Sequence, residues 1–359
     1  MKICLVSPLP PPLGGISVWS RSILDYLKRH DIICYQIDIA PRWRKIYIKN
    51  KLIRAVGGGI QFIHDLFSYL LALMKGVDII HLTSSGHLSI VRDIFFCILA
   101  KVFNLPLVYH IHHGKIPEIV EKNGPEKYLL NIAIRLSKVT IVITKKSYYI
   151  LKNKYPLFDI RFIPNPAFIN KDGFTIGKES KKVLFLGWVI REKGIEELVK
   201  AWAMINKKDW TLNIAGPGDL NYIKNILFKM GANNIIYLGE VEHADAIKLI
   251  EECDFLVLPS YSEGFPMVIL EAMSLAKPII ATKVGEIPNI LGDNAGIIIP
   301  PRDIKALTEA ILLLIENHNL RIETAKKAFE RVKKRYSSDF IFEDYLTVWK
   351  ECLGRRING

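Results

Sequence analysis

Cysteine is scarce and scattered: the five in 359 residues (Cys4, Cys34, Cys97, Cys253, Cys352) form no Cys-x-x-Cys pair. That spacing excludes a disulfide framework and a cysteine-ligated zinc site, and it suits a reducing cytoplasm. No apolar run reaches the roughly 20 residues that a bilayer-spanning helix needs. The longest greasy stretch, Ile60 to Met74, carries His64 and Asp65 and stops at Lys75. At the start, Met1-Lys2 leads straight into Ile3-Cys4-Leu5-Val6 and a proline cluster, too short an apolar segment for a secretory signal, so no export is expected. No Asp-x-Asp motif stands in a suitable loop, so neither an obligatory divalent metal nor a resident cofactor is expected. Solenoid-length repeats and low-complexity tracts are also missing.

Acidic residues are missing from one region in particular. Residues 1–168 hold 23 Lys+Arg against 10 Asp+Glu, whereas 169–359 hold 26 of each, so the whole net charge of +13 belongs to the first half. Between Asp38 and Asp65 there is no acid at all, but there are Arg42, Arg44, Lys45, Lys49, Lys51 and Arg54, interleaved with Trp43 and Tyr47. Followed by the greasy Ile60–Met74 segment, this run suits an anionic membrane surface, with peripheral attachment to the inner face of the cell membrane. It also reads as a solvated basic face beside a core helix. Nucleic acid is not expected, because no helix-turn-helix, zinc or RNA-recognition pattern accompanies the charge.

What is present is a rhythm. Short β-branched or aliphatic runs alternate with helical-period stretches, the pattern of parallel sheets covered by helices on both faces. The first series has strand-like runs at Ile3–Val6, Ile32–Ile37, Asp78–Leu82, Leu107–Ile111, Val139–Ile143 and Ile160–Ile163. After the first run, Ile16, Trp19, Ile23, Tyr26 and Leu27 share one helical stripe. A polar stretch from Pro164-Asn165-Pro166 through Lys171-Asp172-Gly173 to Ser180 reads as an interdomain linker. The second series runs Lys182–Leu186, Thr211–Ile214, Ile235–Leu238, Phe255–Leu258, Pro278–Ala281 and Gly296–Ile299, then turns helical, with Asp303 as an N-cap for Ile304–Ile315. The expected architecture is α/β: two doubly wound parallel-sheet, Rossmann-like domains facing a central cleft. Residues 1–168 are expected to form the first domain and 169–337 the second, with a C-terminal helix in 338–359.

Four places carry residues suited to chemistry. The segment Pro259-Ser-Tyr-Ser-Glu263-Gly264-Phe265-Pro266-Met267-Val268-Ile269-Leu270-Glu271 joins a buried strand to a helix. Pro266 suits the first helical turn, so the free N–H groups after it would point at an anion. Glu263 and Glu271 could accept hydrogen bonds from hydroxyls at two ends of an extended ligand; the lesser alternative has Glu271 paired to a lysine or capping a neighbouring loop. A second segment, Gly187-Trp188-Val189-Ile190-Arg191-Glu192-Lys193-Gly194, puts a lysine at a helix entrance, where it adds to the helix dipole and suits a diphosphate leaving group. Third, Gly14-Gly15 after the first strand, and Gly216-Pro217-Gly218 in the second half, let backbone approach a ligand closely. Fourth, His110, His112 and His113 gather at the end of a strand, with His110 and His112 on one face and no cysteine or carboxylate neighbour to complete a metal set.

Together these residues resemble the retaining nucleotide-sugar glycosyltransferases of family 4, which have the GT-B fold, and the resemblance covers most of the chain. The pair Glu263 and Glu271 with the intervening Gly264-Phe265-Pro266 is its most specific part. The resemblance implies that Glu263, the backbone of Gly264, Phe265 and Pro266, and the adjoining Met267 hold the donor sugar and phosphates. Glu271 would hold the ribose, Lys193 with Arg191 the diphosphate, and Gly14-Gly15 the phosphate side from the first domain. His112 would face the sugar near the bond being broken, Asn165 matches an asparagine after the last strand of the first domain, and the C-terminal helix, Phe340–Cys352 within 338–359, would cross back onto that domain. The implied acceptor is lipid-linked or a growing polysaccharide, in bacterial surface polysaccharide (O-antigen, capsule) assembly. Trp188 stands where the family usually has arginine, and the usual Gly-Gly-x-Pro-Glu is Gly285-Glu286-Ile287-Pro288-Asn289. A sugar-nucleotide epimerase of the same architecture and a noncatalytic binding protein remain alternative readings.

Overall fold

The computed structural model describes residues 1–10, 14–40, 51–86, 89–122, 124–169, 179–205, 207–230 and 234–354. Arg42 to Lys49 of the basic run and Lys171-Asp172-Gly173 of the expected linker lie outside the described residues. The chain divides into two compact units, Met1–Asn165 with Ile341–Gly359, and Pro166–Phe340.

The first unit contains β1 (Lys2–Ser7), β2 (Ile33–Asp38), β3 (Ile79–Ser84), β4 (Leu107–Ile111), β5 (Val139–Val142) and β6 (Ile160–Phe162). Among the described residues they form one sheet in the order β2-β1-β3-β4-β5-β6, parallel throughout. Strands β3, β4 and β5 are buried at every position. They therefore lack the apolar–polar alternation of half-exposed strands, with His81, Thr83, Ser84, His110 and Thr140 buried among aliphatic residues. Helices cover both faces. On one side, the helix Gly15–Arg29 buries the expected stripe of Trp19, Ile23, Tyr26 and Leu27 with Phe342, Tyr345 and Trp349 of the C-terminal helix, and Ile16 is half-buried. That last helix, Ser338–Cys352, is tied down where Tyr26 Oη donates to Glu343 at 2.8 Å and Arg161 pairs with Glu351 at 2.6 Å.

The second unit contains β7 (Lys182–Leu186), β8 (Thr211–Ala215), β9 (Ile235–Gly239), β10 (Phe255–Leu258), β11 (Ile279–Thr282) and β12 (Ile297–Ile299). Their order is β12-β11-β10-β7-β8-β9, again parallel. Read from β9, this is the 3-2-1-4-5-6 order of dinucleotide-binding sheets. Asp303 caps its helix as expected, accepting from the Ala306 N–H at 2.9 Å.

Candidate functional site

In an open parallel sheet, ligands gather where neighbouring strands send their connections to opposite sides. In the second unit that point lies between β7 and β10, and the two motifs richest in functional residues follow those two strands. After β7 the chain makes a short 3-10 turn, Arg191–Lys193, and enters the helix Ile195–Ala203 through Gly194. Gly194 has φ 72° and sits so close to the β10 loop that a Cβ would lie 2.1 Å from the Pro259 carbonyl oxygen. Only glycine fits there. The Tyr261 N–H donates to the Glu192 carbonyl at 2.8 Å and locks the two loops together.

This contact brings Lys193 and Glu263, 70 residues apart, to 2.6 Å between Nζ and Oε1. Ser260 Oγ donates to the same oxygen at 2.6 Å, and Glu263 Oε2 carries no hydrogen bond among the described residues. The pair is mostly covered, with Lys193 23% and Glu263 10% exposed, so its charges act in a medium less screened than water. A lysine with two further N–H donors beside a carboxylate with a free oxygen can take up an anion and a hydroxyl at neighbouring positions.

The loop after Glu263 leads to the helix Met267–Ser274. Pro266 is its N-cap, with ψ 114°, rather than part of the first turn, because an extended residue is needed to turn the chain from the loop into the helix. No side chain caps this end. Phe265 and Met267 are buried, and Phe265 packs edge-on against Tyr336 with ring centroids 5.9 Å apart. Their side chains thus serve the core, and they can meet a ligand only through backbone. The altered Gly285-Glu286 segment lies against this same loop. A Cβ on Gly285, which has φ 54°, would come within 2.0 Å of the Glu263 carbonyl oxygen, and the Glu286 N–H donates to the Gly264 carbonyl at 3.0 Å. Glu286 is buried, its Oε1 accepting from Asn289 Nδ2 at 2.9 Å. The residues that replace the usual glycine and glutamate are therefore bonded to each other.

Glu271 lies inside the helix and does not join the Lys193 pair. Its Oε1 meets His243 Nε2 at 3.0 Å, at the start of the helix His243–Glu252. The partner is a histidine, not the lysine weighed from sequence. His243 sits in no motif, and only the need of Glu271 for a polar neighbour pointed to it. Gly216 and Gly218 are packing glycines: their Cβ atoms would come within 2.0 Å of the Gly187 carbonyl oxygen and 2.6 Å of Val189 Cβ. They zip the β8 loop to the β7 loop, where the Val189 N–H donates to the Pro217 carbonyl at 2.8 Å. Arg191 and Trp188 are exposed beside them.

In the first unit, Gly14 caps the helix after β1, its N–H donating to Ser17 Oγ at 2.9 Å, and a Cβ placed there would meet nothing within 4 Å. The strand-end histidines form a chain the sequence showed only in part. His110 Nδ1 lies 3.1 Å from His112 Nε2 and 3.1 Å from His81 Nε2, and His81 Nδ1 receives the Trp349 N–H at 3.1 Å. The His112 N–H donates to the Ser84 carbonyl at 2.9 Å, fixing it at the ends of β3 and β4. Burial pushes His81 down to about 3 and holds His110 and His112 well below the usual imidazole range, so all three rings are neutral at pH 7. Asn165, after β6, is buried, and its Oδ1 has no partner among the described residues. Among the described residues no group of three or more His, Cys, Asp or Glu is placed to hold a metal ion, and none of the described helices is long and apolar enough to cross a membrane.

Comparison with known proteins agrees with this geometry. Residues 168–331 match the family Glycosyl transferases group 1. An uncharacterized glycosyltransferase of Methanocaldococcus jannaschii is 26% identical, across 98% of this chain and 96% of its own length. The capsular polysaccharide biosynthesis glycosyltransferase CapM of Staphylococcus aureus is 28% identical over 66% of this chain and 62% of its own. In fold, the chain is similar to Anabaena HepE, solved in complex with UDP, with a TM-score of 0.74 over 98% of this chain and 100% of that one at 18% identity. With two GT-B-type sheets, a group 1 domain in its second half and glycosyltransferase relatives along its length, this chain is a glycosyltransferase.

Proposed function

We propose that this enzyme transfers a hexose from a nucleoside diphosphate sugar, UDP- or GDP-linked, to a lipid-linked or polysaccharide acceptor with retention of configuration, as a family 4 enzyme of bacterial surface polysaccharide assembly. The carrying observation is the Lys193–Glu263 contact of 2.6 Å at the β7/β10 switch point, beside a helix end that no side chain caps. The second Lys193 N–H groups and the backbone at Met267 take the diphosphate, and Glu263 Oε2 accepts a sugar hydroxyl. Glu271, oriented by His243, accepts from the ribose. The bond from the anomeric carbon to the diphosphate oxygen breaks while the acceptor oxygen bonds the same face of that carbon. The acceptor proton passes to the departing diphosphate oxygen. No side chain in the second unit stands out as a covalent nucleophile, which favours this same-face route over a glycosyl-enzyme intermediate. Donor binding requires no divalent ion. HepE's UDP and CapM's role in capsule formation support the donor and the setting.

The acceptor reading gains support from the surface of the first unit. The helix Lys51–Met74 exposes Ile63, Phe67 and Met74, and the helix Ser89–Val102 exposes Phe95, Ile98 and Val102. The two helices touch through Phe62 and Phe95, with ring centroids 5.4 Å apart. Outward apolar stripes on adjacent helices exceed what a monomer leaves bare without use. The basic run from Arg42 to Arg54 leads directly into the first of them, so the occupant that fits is the anionic cytoplasmic leaflet of the membrane. Release of free nucleoside diphosphate only when acceptor is added tests the reaction, and release without acceptor, at the full rate, refutes it. Flotation with anionic liposomes tests the surface, which predicts loss of binding in a Phe67→Glu/Phe95→Glu variant. Equal binding to neutral vesicles would remove the electrostatic component.

A further inference from the structure

Four of the described tryptophans, Trp19, Trp202, Trp210 and Trp349, are exposed by 4% or less, whereas Trp188 leaves 43% of its surface open. It stands just past the carboxyl end of β7, where the sheet order of the second unit reverses. Packing does not account for it, because the side chain this loop buries is that of its neighbour Val189. The backbone around the indole is pinned on both sides: the Gly187 N–H donates to the Ala215 carbonyl at 3.0 Å, and the Ile190 N–H to the Trp188 carbonyl at 3.0 Å. Val189 also pairs with Gly218 in an isolated parallel bridge. That bridge joins the loop carrying the exposed Ile190 to the loop that leads into the exposed Leu220. A single bare apolar side chain needs no explanation, but three on two joined loops at the ligand-binding edge of a sheet call for an occupant. From Trp188 the chain runs straight to the ion pair, since the Lys193 N–H donates to the Ile190 carbonyl at 3.1 Å and Lys193 Nζ meets Glu263. A flat apolar surface, a cation and a carboxylate with an open oxygen thus come from one pair of loops.

We propose that Trp188 is a stacking platform for the sugar ring of the donor, and so selects the sugar-bearing nucleotide over the free nucleoside diphosphate. The inference rests on the donor reading above, in which Lys193 takes the diphosphate and Glu263 a sugar hydroxyl. A pyranose carries hydroxyls around its rim and C–H groups on its faces. It therefore needs acceptors at its edge and a flat apolar surface against one face, and the loops after β7 and β10 supply both. An aliphatic chain does not suit this place, because Arg191 is exposed on the same loop and the Lys193 charge follows it. The rigid backbone presents the indole without a large ordering cost when the sugar arrives. Once the sugar has been transferred, the diphosphate keeps its contact with Lys193 and has nothing on the indole, so the product leaves more readily than the donor did.

The probes are UDP-glucose, UDP-N-acetylglucosamine and GDP-mannose, each titrated beside UDP or GDP alone. Binding is read by calorimetry, and contact with the indole by the part of the tryptophan emission that Trp188→Phe lacks. In the wild type at least one sugar donor should bind about five-fold or more tighter than its own diphosphate and should perturb that emission, which the diphosphate alone leaves nearly unchanged. In Trp188→Ala the same donor and its diphosphate should bind about equally, with the affinity for the diphosphate within about two-fold of wild type. Trp188→Phe keeps an aromatic plane and should hold the donor to within about three-fold of wild type. A Trp188→Ala variant that keeps the wild-type ratio of donor to diphosphate affinity overturns the platform, as does a wild type that binds no sugar donor better than its diphosphate. A diphosphate that perturbs the Trp188 emission as fully as the donor also overturns it, because the ring then lies against the nucleoside. If none of the five ligands binds, the donor reading itself falls, an outcome distinct from the other three.

Discussion

The second unit sets an ion pair at the carboxyl ends of the strands where its sheet order reverses, between β7 and β10, whereas the first sets neutral rings on β3 and at the end of β4. Lys193 and Glu263 face each other as an ion pair, and part of each remains in contact with water. His81, His110 and His112 stay neutral because burial among aromatic rings disfavours the charged form. The same topology thus carries two kinds of polar cluster: a charged pair in one unit and neutral imidazoles in the other. Architecture supplies the position, and side chains decide what is done there.

The largest expected effect tests the charged half. Lys193→Ala removes the cation from the diphosphate and leaves Glu263 with only Ser260 as a side-chain donor, so kcat should fall by about 10²–10³-fold or more, the scale of a lost transition-state donor. The double variant with Glu263→Gln should not lose the full product of the two single losses, since the two groups act as a unit. Steady-state rates with saturating donor measure both. Wild-type turnover in Lys193→Ala would leave the ion pair as a structural brace and end the comparison.

The neutral half makes a prediction about acid. His81 has its pKa pushed down to about 3, against about 6.5 for an unfolded histidine. Above pH 6.5 neither state binds a proton and folding does not depend on this group. As pH falls from 6.5 toward 3, the unfolded chain takes up a proton that the folded chain refuses, so stability declines, by about 2 kcal/mol from this residue at pH 5. His110 and His112 act with the same sign. His81→Gln should flatten the slope of denaturation free energy against pH between 6.5 and 5; an unchanged slope would mean that the rings gain protons in the folded state.

The fold was legible because buried parallel strands are written as short, mostly aliphatic runs separated by helical-period stretches. Each of the twelve runs read from the sequence appears as a strand, with Leu107–Ile111, Lys182–Leu186 and Phe255–Leu258 at the same bounds. Ends moved by a residue or two elsewhere, as with β3 at Ile79–Ser84, where hydrogen bonding continues past the last apolar side chain. The candidate site was legible only where a motif is local. Glu263, Glu271 and Lys193 stood out by their neighbours in sequence, but their partners did not: Ser260 was hidden in a loop, and His243 is a surface histidine until the fold brings it to Glu271. His81 and Trp349 are 268 residues apart, and nothing in the sequence around either announces the contact. Long-range hydrogen bonds follow from topology, and spacing along the chain carries no trace of them.

The smallest effect separates glycines that the fold needs from one that a ligand would need. At Gly194, φ is 72° and a Cβ would lie 2.1 Å from the Pro259 carbonyl oxygen, so Gly194→Ala should cost about 1–3 kcal/mol and pull Lys193 out of place. At Gly14, φ is −168°, ordinary extended backbone, and an added Cβ meets nothing, so Gly14→Ala should alter stability by less than about 1 kcal/mol. Among the described residues neither conformation nor packing requires glycine at Gly14, and close approach by the donor phosphate is the role that the family resemblance implies for it. Its effect should therefore appear in binding, as a several-fold rise in KM for the donor with melting temperature nearly unchanged. If Gly14→Ala instead lowers the melting temperature as much as Gly194→Ala and leaves KM alone, the first unit makes no backbone contact with the donor through that turn.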